Sequence, residues 1–552
     1  MVGAPAAAGD DFPSQQRSAA LQLLATNSMA CIRQFVVFVF LIATNGTGLP
    51  MSAAGPQLRH LWTHDAGGTG RAEIVAFDTA AKEFLVVNGM ERCVMRLAAA
   101  TGREVGRLDV AAHGDPTSVA VSDGLIAVAV VAPKKTDPGH VALFRSAGVV
   151  TEGVSPDVPA TSVRVGALPD MVTFTPDGRY IVVACEGEPS DDYSVDPEGV
   201  IAVIDVGRGP EAAVALSADF VRFNHERESL ELSGVRITGP SAANPDGRAT
   251  LAEDAEPEYI AVAADSRTAW VTLQENNAIA VVDVPRARVK AIVGLGCKDH
   301  SRLGAGLDAS PVDGIRIRTQ PVYGMYQPDG IAAFVIDGRT YLATANEGDS
   351  RPYPGFTDEA LVKDLPLDPS LRAGDDLQQL KVSRVGGDVD DDGDIDRLLS
   401  FGARSLAIWD ADGKLVYDSG DALERFIAKD LPERFNIDSD GAGTVDARSG
   451  DKGPEPEAVV VGRVGDATHA FVGLERTSAV AVFDVTRPTA TRLIDVVPLP
   501  LTKNETGPPS IAPEGLCFVP ADRSPSGVPL LAVACEVTGT TVLYEIDSVS
   551  AE

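Results

Sequence analysis

The sequence predicts an all-β fold, a seven-bladed β-propeller of four-stranded blades closed by an N-terminal strand that completes the last blade. Three observations carry this expectation. A short motif recurs at the start of an apolar run as Ala72-Glu73-Ile74, Pro116-Thr117-Ser118-Val119, Pro169-Asp170-Met171, Pro257-Glu258-Tyr259, Pro328-Asp329-Gly330, Pro456-Glu457-Ala458 and Pro513-Glu514-Gly515. Repeated all-β units of this size point to radial repetition around a channel. Helix-period stretches are scarce in a chain that is 44% hydrophobic and rich in Val, Ile, Thr and Gly, so a core built from strands is expected.

The third observation is the unit that follows each motif. In the sixth copy, Glu457 to Gly462, His469 to Leu474, Ala479 to Asp484 and Thr491 to Val497 read as four antiparallel strands joined by short turns. The fourth copy repeats this with Glu258 to Ala264, Ala269 to Leu273, Ile279 to Asp283 and Lys290 to Gly294. The last repeat supplies only Leu516 to Val519, Leu530 to Ala534 and Thr541 to Ile546, so Leu58 to Thr63 is assigned as its outer strand. An open edge there would leave backbone donors and acceptors unpaired. The propeller is therefore placed at 58–547, with insertions near 206–255 and 348–400. Long insertions in compact folds are commonly functional.

Residues 1–54 are read as an upstream extension plus a signal peptide from 29 to about 54, in which Arg33 precedes the apolar run Phe35 to Ala43. With no hydrophobic tail before Glu552, a secreted or periplasmic protein with no transmembrane segment in its mature chain is expected, as a monomer. Cys517 and Cys535, on neighbouring strands, either bridge or stay as buried thiols. Asn45-Gly46-Thr47 and Asn504-Glu505-Thr506 are glycosylation sequons.

With 79 acidic against 47 basic residues the net charge is −32, and no basic run offers a footprint for a phosphate backbone, which argues against nucleic acid. Such a field concentrates cations, and calcium is the expected cofactor. Strand polarity gives the acids a location. The first strand of a blade begins, and the second ends, at the same mouth of the channel. Glu73, Asp170, Glu258, Asp329, Glu457 and Glu514 should therefore meet Glu186, Glu275, Glu347, Glu475 and Glu536 as a double ring of carboxylates. Blade two carries Thr117 and Ser118 instead, so the ring should be open there.

Gly387 to Asp396 fits the pattern D-x-D-x-D-G-x-x-D. Asp388, Asp390, Asp392 and Asp396, with the carbonyl of Asp394, are placed as calcium ligands in a loop lacking the bidentate glutamate of an EF-hand. Arg351, Arg404 and Arg476 are expected near the same mouth, as anion clamps or inter-blade ion pairs. His300 is expected to be a satisfied turn histidine.

Leu168 to Gly178, Val271 to Ala278, Ala343 to Asp349 and Asp451 to Glu457 resemble the choice-of-anchor I family, with the resemblance running from about 58 to 547. That family includes secreted bacterial proteins and mesenchyme-specific cell-surface glycoproteins, and some members are labelled atypical calcium-dependent alkaline phosphatases. The resemblance implies a secreted or surface propeller. Two functions follow as expectations: a calcium-binding propeller whose acidic mouth binds an extracellular ligand or mineral, or a calcium-dependent phosphomonoesterase acting on a phosphate ester. In the second, Glu347, Asp349, Arg351 and Arg404 would be catalytic.

Overall fold

In a computed structural model the chain is described over residues 55–149, 155–371, 373–438, 443–504 and 507–547. The signal peptide and the first sequon lie outside these residues, as does most of the second sequon. Seven four-stranded antiparallel sheets follow one another in chain order, each beginning at one copy of the motif. Their first strands adjoin in sequence, and Val75–Asp78 touches both Asp115–Ser122 and Pro513–Val519, so the ring of inner strands is continuous. Gln57–Asp65 pairs antiparallel with Thr540–Asp547, from Gln57 opposite Asp547 to Asp65 opposite Thr540, and completes the seventh sheet. Apolar clusters fill the spaces between neighbouring sheets; one joins Val459 and Phe483 of blade six to Ile408 of blade five.

The motif has a physical reason. Register shifts follow Pro116, Pro169, Pro257, Pro456 and Pro513, so the residue behind the proline, Thr117 in blade two and a carboxylate in the other four, sits in a bulge that re-aims its side chain. Leu168, Gln327, Glu455 and Ala512, each immediately before a motif proline, adopt positive φ of 37° to 61°. That region is costly for such residues, and the strain aims a carbonyl. The backbone N–H of Glu186 donates to Leu168 O (3.0 Å), that of Glu475 to Glu455 O (3.0 Å) and that of Glu536 to Ala512 O (2.9 Å). Each bond ties the start of a first strand to the end of a second, and so brings two acids of one blade together. A Cβ on Gly330 would lie 2.6 Å from Glu457 O, and one on Gly515 would lie 2.3 Å from Glu73 O. Glycine at these two places lets the inner strands close up.

The insertions differ from expectation. Blade three finds its fourth strand at Val214–Asp219, inside the stretch assigned to the insertion, and only then departs into the helix Arg227–Leu232 and the capped turn Leu251–Asp254. The blade-five insertion forms a five-stranded sheet with a segment that sequence reading left as a connection. Cys297–Asp299 and Val322–Met325 join Leu398–Ser400, Lys381–Ser383 and Glu359–Leu361, with one parallel pairing between Val322–Met325 and Leu398–Ser400. Its own core gathers Leu307, Val322, Leu380, Val382 and Leu398. Strands of three or four residues are too short to show alternation. The helix Ala422–Asp430 buries Leu423 and Ile427 against blades five and six.

All five cysteines among the described residues are unpaired. Cys517 faces Ala532 and Cys535 faces Pro513, so the suggested bridge is out of register.

Candidate functional site

The bulged acids converge. Glu73, Asp170, Asp329, Glu514 and Glu536 line one cavity of about 260 Å³ together with Thr117, Ser118 and Tyr259. Adjacent blades share tighter groups. Carboxylate oxygens of Asp170, Glu186 and Glu258 lie within 4.8 Å of one another, as do those of Asp329, Glu347 and Glu457, and those of Glu347, Glu455 and Glu475. Among the described residues, blade two gives this cavity Thr117 and Ser118 and no acid. The Thr117 hydroxyl donates to Pro169 O (2.6 Å) and the Ser118 hydroxyl accepts from the Val172 N–H (3.2 Å), so both are engaged with blade three.

Two arcs of the ring behave differently. Between blades five and six, Glu347, Asp349 and Glu455 meet built-in cations, whereas among the described residues Asp329 and Glu457 of the same arc do not. Lys452 Nζ sits 2.5 Å from Glu347 and 3.4 Å from Asp349, while fully buried Glu455 is held by Arg448 (2.7 Å) and Arg476 (2.8 Å). Gln274 Nε2 donates to the other Glu347 oxygen at 2.9 Å. Sequence reading missed Lys452 and Glu455, although both fall in the string Asp451 to Glu457 that carried the family resemblance.

No ion pair forms among the described residues for Glu73, Asp170, Glu186, Glu258, Glu275, Asp329, Glu457, Glu514 or Glu536. Burial first, and then repulsion from neighbouring acids, raises the protonation of the first eight of these. Glu73 is pushed up to about 8, with Glu536 and Asp170 adding to burial; Asp329 rises to about 7, with Glu347 adding. Burial also lifts Glu258, Glu457 and Glu514 well above the carboxylate range. Glu457 Oε2 and Glu275 Oε2 are buried without a hydrogen-bond partner, on side chains of residues 8% and 6% exposed. Carboxylates so placed require a proton or a cation.

The three arginines expected as anion clamps or inter-blade ion pairs all form ion pairs, Arg476 with Glu455 and the other two deep in the fold. Arg351, 1% exposed, donates to Thr238 Oγ1 (2.8 Å) and Asp254 O (2.9 Å) and pairs with Glu256 at 3.3 Å. Arg404, 2% exposed, donates to Asp308 O and to Glu424 and also reaches Ser449 O and Asp451 O. Both guanidiniums are thus held by protein groups on several sides. Glu347 is occupied with Lys452, and Asp349 stays half-exposed beside the same amine. His300 is a buried core histidine whose Nδ1 lies 2.7 Å from Ala305 O, and burial depresses its pKa to about 3.

The aspartate loop forms a second acidic centre. Asp388, Asp390 and Asp396 bring oxygens within 4.8 Å of one another, and Asp396 is shared with a second triad of Asp368 and Asp394. Asp388 Oδ2 accepts from the Gly393 N–H (3.0 Å) and Asp396 Oδ2 from the Val389 N–H (2.7 Å), which fixes the loop around the acids. Asp388 Oδ1 and Asp394 Oδ1 are buried and unpartnered. Asp392 turns back to accept from the Asp394 N–H at 3.2 Å and is not gathered with the triad, whereas the Asp394 side chain, expected to offer only its carbonyl, is gathered. Asp368 lies twenty residues before Asp388, and the parallel bridge Leu367–Ile395 delivers it. A short-range motif could not reveal it.

A propeller with a carboxylate-ringed mouth and a separate aspartate loop is the class of protein these features define. The chain belongs to the choice-of-anchor I family, whose domain matches residues 73–488. Among curated proteins it is similar to the mesenchyme-specific cell surface glycoprotein of Strongylocentrotus purpuratus, at 29% identity over half of this chain and 41% of that protein. It is also similar to Gigasin-3a of Magallana gigas, at 29% identity over 32% of this chain and 67% of that one. The chain thus spans less than half the length of the first relative. Similar solved structures include hydrazine synthase of Kuenenia stuttgartiensis, at 13% identity and a TM-score of 0.46 over 87% of this chain and 97% of that one. Another is the β-propeller domain of Myceliophteria thermophila Cps50, at 10% identity and a TM-score of 0.42 over 89% and 100%. Among the described residues no helix is long and apolar enough to cross a membrane.

Proposed function

We propose that this protein is an extracellular, calcium-binding propeller that presents its acidic mouth to a ligand or surface component. The observation that carries the reading is the aspartate loop, where two triads share Asp396 and two buried oxygens lack any hydrogen-bond partner. Calcium takes six to eight oxygen ligands at about 2.3–2.6 Å, and clustered carboxylates with loop carbonyls are the donor set it prefers. Asp388, Asp390 and Asp396 would hold it, with Asp394 and Asp368 on the shared side. The nine unpaired mouth carboxylates favour a cationic partner, either a second divalent ion or a cation-rich surface. The similarity to a cell-surface glycoprotein supports an extracellular location.

The reading is tested by isothermal titration of calcium into chelator-treated protein. Saturable uptake is expected, and an Asp388→Asn/Asp396→Asn variant should lose one class of sites while Glu347→Gln keeps it. Absence of uptake by the unaltered protein overturns the proposal.

A further inference from the structure

A cleft of about 660 Å³ lies between the blade-three insertion and the five-stranded sheet. Val235, Ile237 and Met325, each 3% exposed or less, back it, while Val385, Val389 and Leu399 present apolar surface to it. Its lining carries four arginines against three acids, in a chain whose net charge is −32.

Two of its arginines are committed. Arg236, with a side chain 9% exposed, pairs with Asp358 at 2.9 Å and donates to Ser383 Oγ at 2.9 Å, which fixes the floor. Arg248 bonds Glu231 on the same wall, and Glu231 is also reached by Arg227 at 3.2 Å, so that carboxylate is already answered. Arg384 and Arg397 are different. Both are exposed at the cleft, and among the described residues neither forms an ion pair; Arg397 only lies over the Tyr323 ring at 5.7 Å.

The acids facing this pair are Asp388 and Asp391 of the aspartate loop. Asp388 is turned into its own loop, where its oxygens belong with Asp390 and Asp396. A cation held there cancels the charge closest to the cleft and leaves the arginines dominant.

We propose that this cleft binds an amphipathic organic anion. A carboxylate or sulfonate is gripped by Arg384 and Arg397, and an apolar body of ring or short-chain size lies against Val385, Val389 and Leu399. The dimensions suit a small molecule, since such sites are about 300–1,000 Å³, largely apolar, with a few fixed polar groups. Arginine forks match the oxygens of such an anion in pairs. Binding is strengthened when the aspartate loop holds calcium. That coupling rests on the calcium reading above, whereas the two-arginine grip does not.

The test uses the full chain and 8-anilinonaphthalene-1-sulfonate, with uncharged N-phenyl-1-naphthylamine as the matched control, both followed by fluorescence. The sulfonate should bind saturably in calcium, and Arg384→Ala/Arg397→Ala should weaken it by about tenfold or more, the scale of hydrogen bonds to charged groups. The uncharged probe should respond to that variant less than about twofold, since no charged bond is lost. Both arginines are exposed, so the variant should keep the parent's circular dichroism. Sulfonate affinity indifferent to the double substitution, or lost equally for both probes, overturns the site. Chelation should weaken the sulfonate by about fivefold or more, within the usual range of coupled sites. Calcium uptake seen by calorimetry together with unchanged sulfonate affinity overturns the coupling alone. Absent calcium uptake overturns the loop reading, and the arginine variant then still decides the cleft.

Discussion

Replacing Arg351 with methionine should destabilise the protein by about 3–5 kcal/mol, the usual cost of removing one partner from a buried ion pair. Its guanidinium is 1% exposed and ties Thr238 and Asp254 of the blade-three insertion to Glu256 at the start of blade four. Methionine fills similar space but leaves the Asp254 and Glu256 carboxylates buried without their cation. Burial already raises both acids, and Arg351 is the neighbour that pulls them back. The variant should therefore melt well below the parent. Arg351→Lys should recover part of the loss, because an ammonium supplies the charge but not the fork. Adding Glu256→Gln to the methionine variant should recover part by a different route, since it removes a stranded charge. A change below about 1 kcal/mol in Arg351→Met, typical of exposed ion pairs, would show that the guanidinium is not the buried tie described.

The calcium-free protein should lose stability as pH rises. Glu73 is held at about 8 against an ordinary 4.5, Asp329 at about 7 against 3.8, Glu475 at about 8 against 4.5 and Asp170 at about 6 against 3.8, in each case through burial first and a neighbouring acid second. Below the ordinary values these groups are protonated whether the chain is folded or not, and contribute nothing. Above them the unfolded chain gives up its protons while the folded chain retains them. The native state then binds more protons, and stability falls with rising pH until each folded pKa is passed. Every such group costs at most about 1.4 kcal/mol per pH unit, and several act over the same window. Acids of opposite sign, such as Asp192 at about 2 through its Ser194 bonds, act only below about pH 4. In chelator, the melting temperature should be higher near pH 5 than near pH 8, where Asp170 and Asp329 have passed their folded values and Glu73 and Glu475 are reaching theirs. Glu457→Gln should flatten that slope by removing one repelled carboxylate. A melting temperature that climbs between those pH values would contradict the buried, repelled ring.

The propeller was legible because its signals are local. Proline, carboxylate and apolar run mark the bulged start of each inner strand, and the alternation behind them marks the rest of the blade. Strand polarity alone then brought Asp170 to Glu186 and Glu457 to Glu475, because both ends of a hairpin face one mouth. What stayed hidden depends on distant partners. Lys452 could not be matched to Glu347 across more than a hundred residues, nor Arg351 to Asp254. Arg351 and Arg404, readable as anion clamps or ion pairs, resemble free arginines in sequence, since a buried guanidinium is distinguished only by what surrounds it. The strands Cys297–Asp299 and Val322–Met325 were missed because they are short and one pairs parallel with a segment far along the chain. Positive φ before the prolines left no trace either: Leu168 and Ala512 are ordinary residues in unusual conformations.

The aspartate loop is the point on which calcium binding turns, and anomalous scattering from a crystal grown with calcium addresses it directly. A peak is expected about 2.3–2.6 Å from oxygens of Asp388, Asp390 and Asp396, the range of calcium–oxygen bonds. A map with no peak in that loop, from a crystal saturated with calcium, would contradict it.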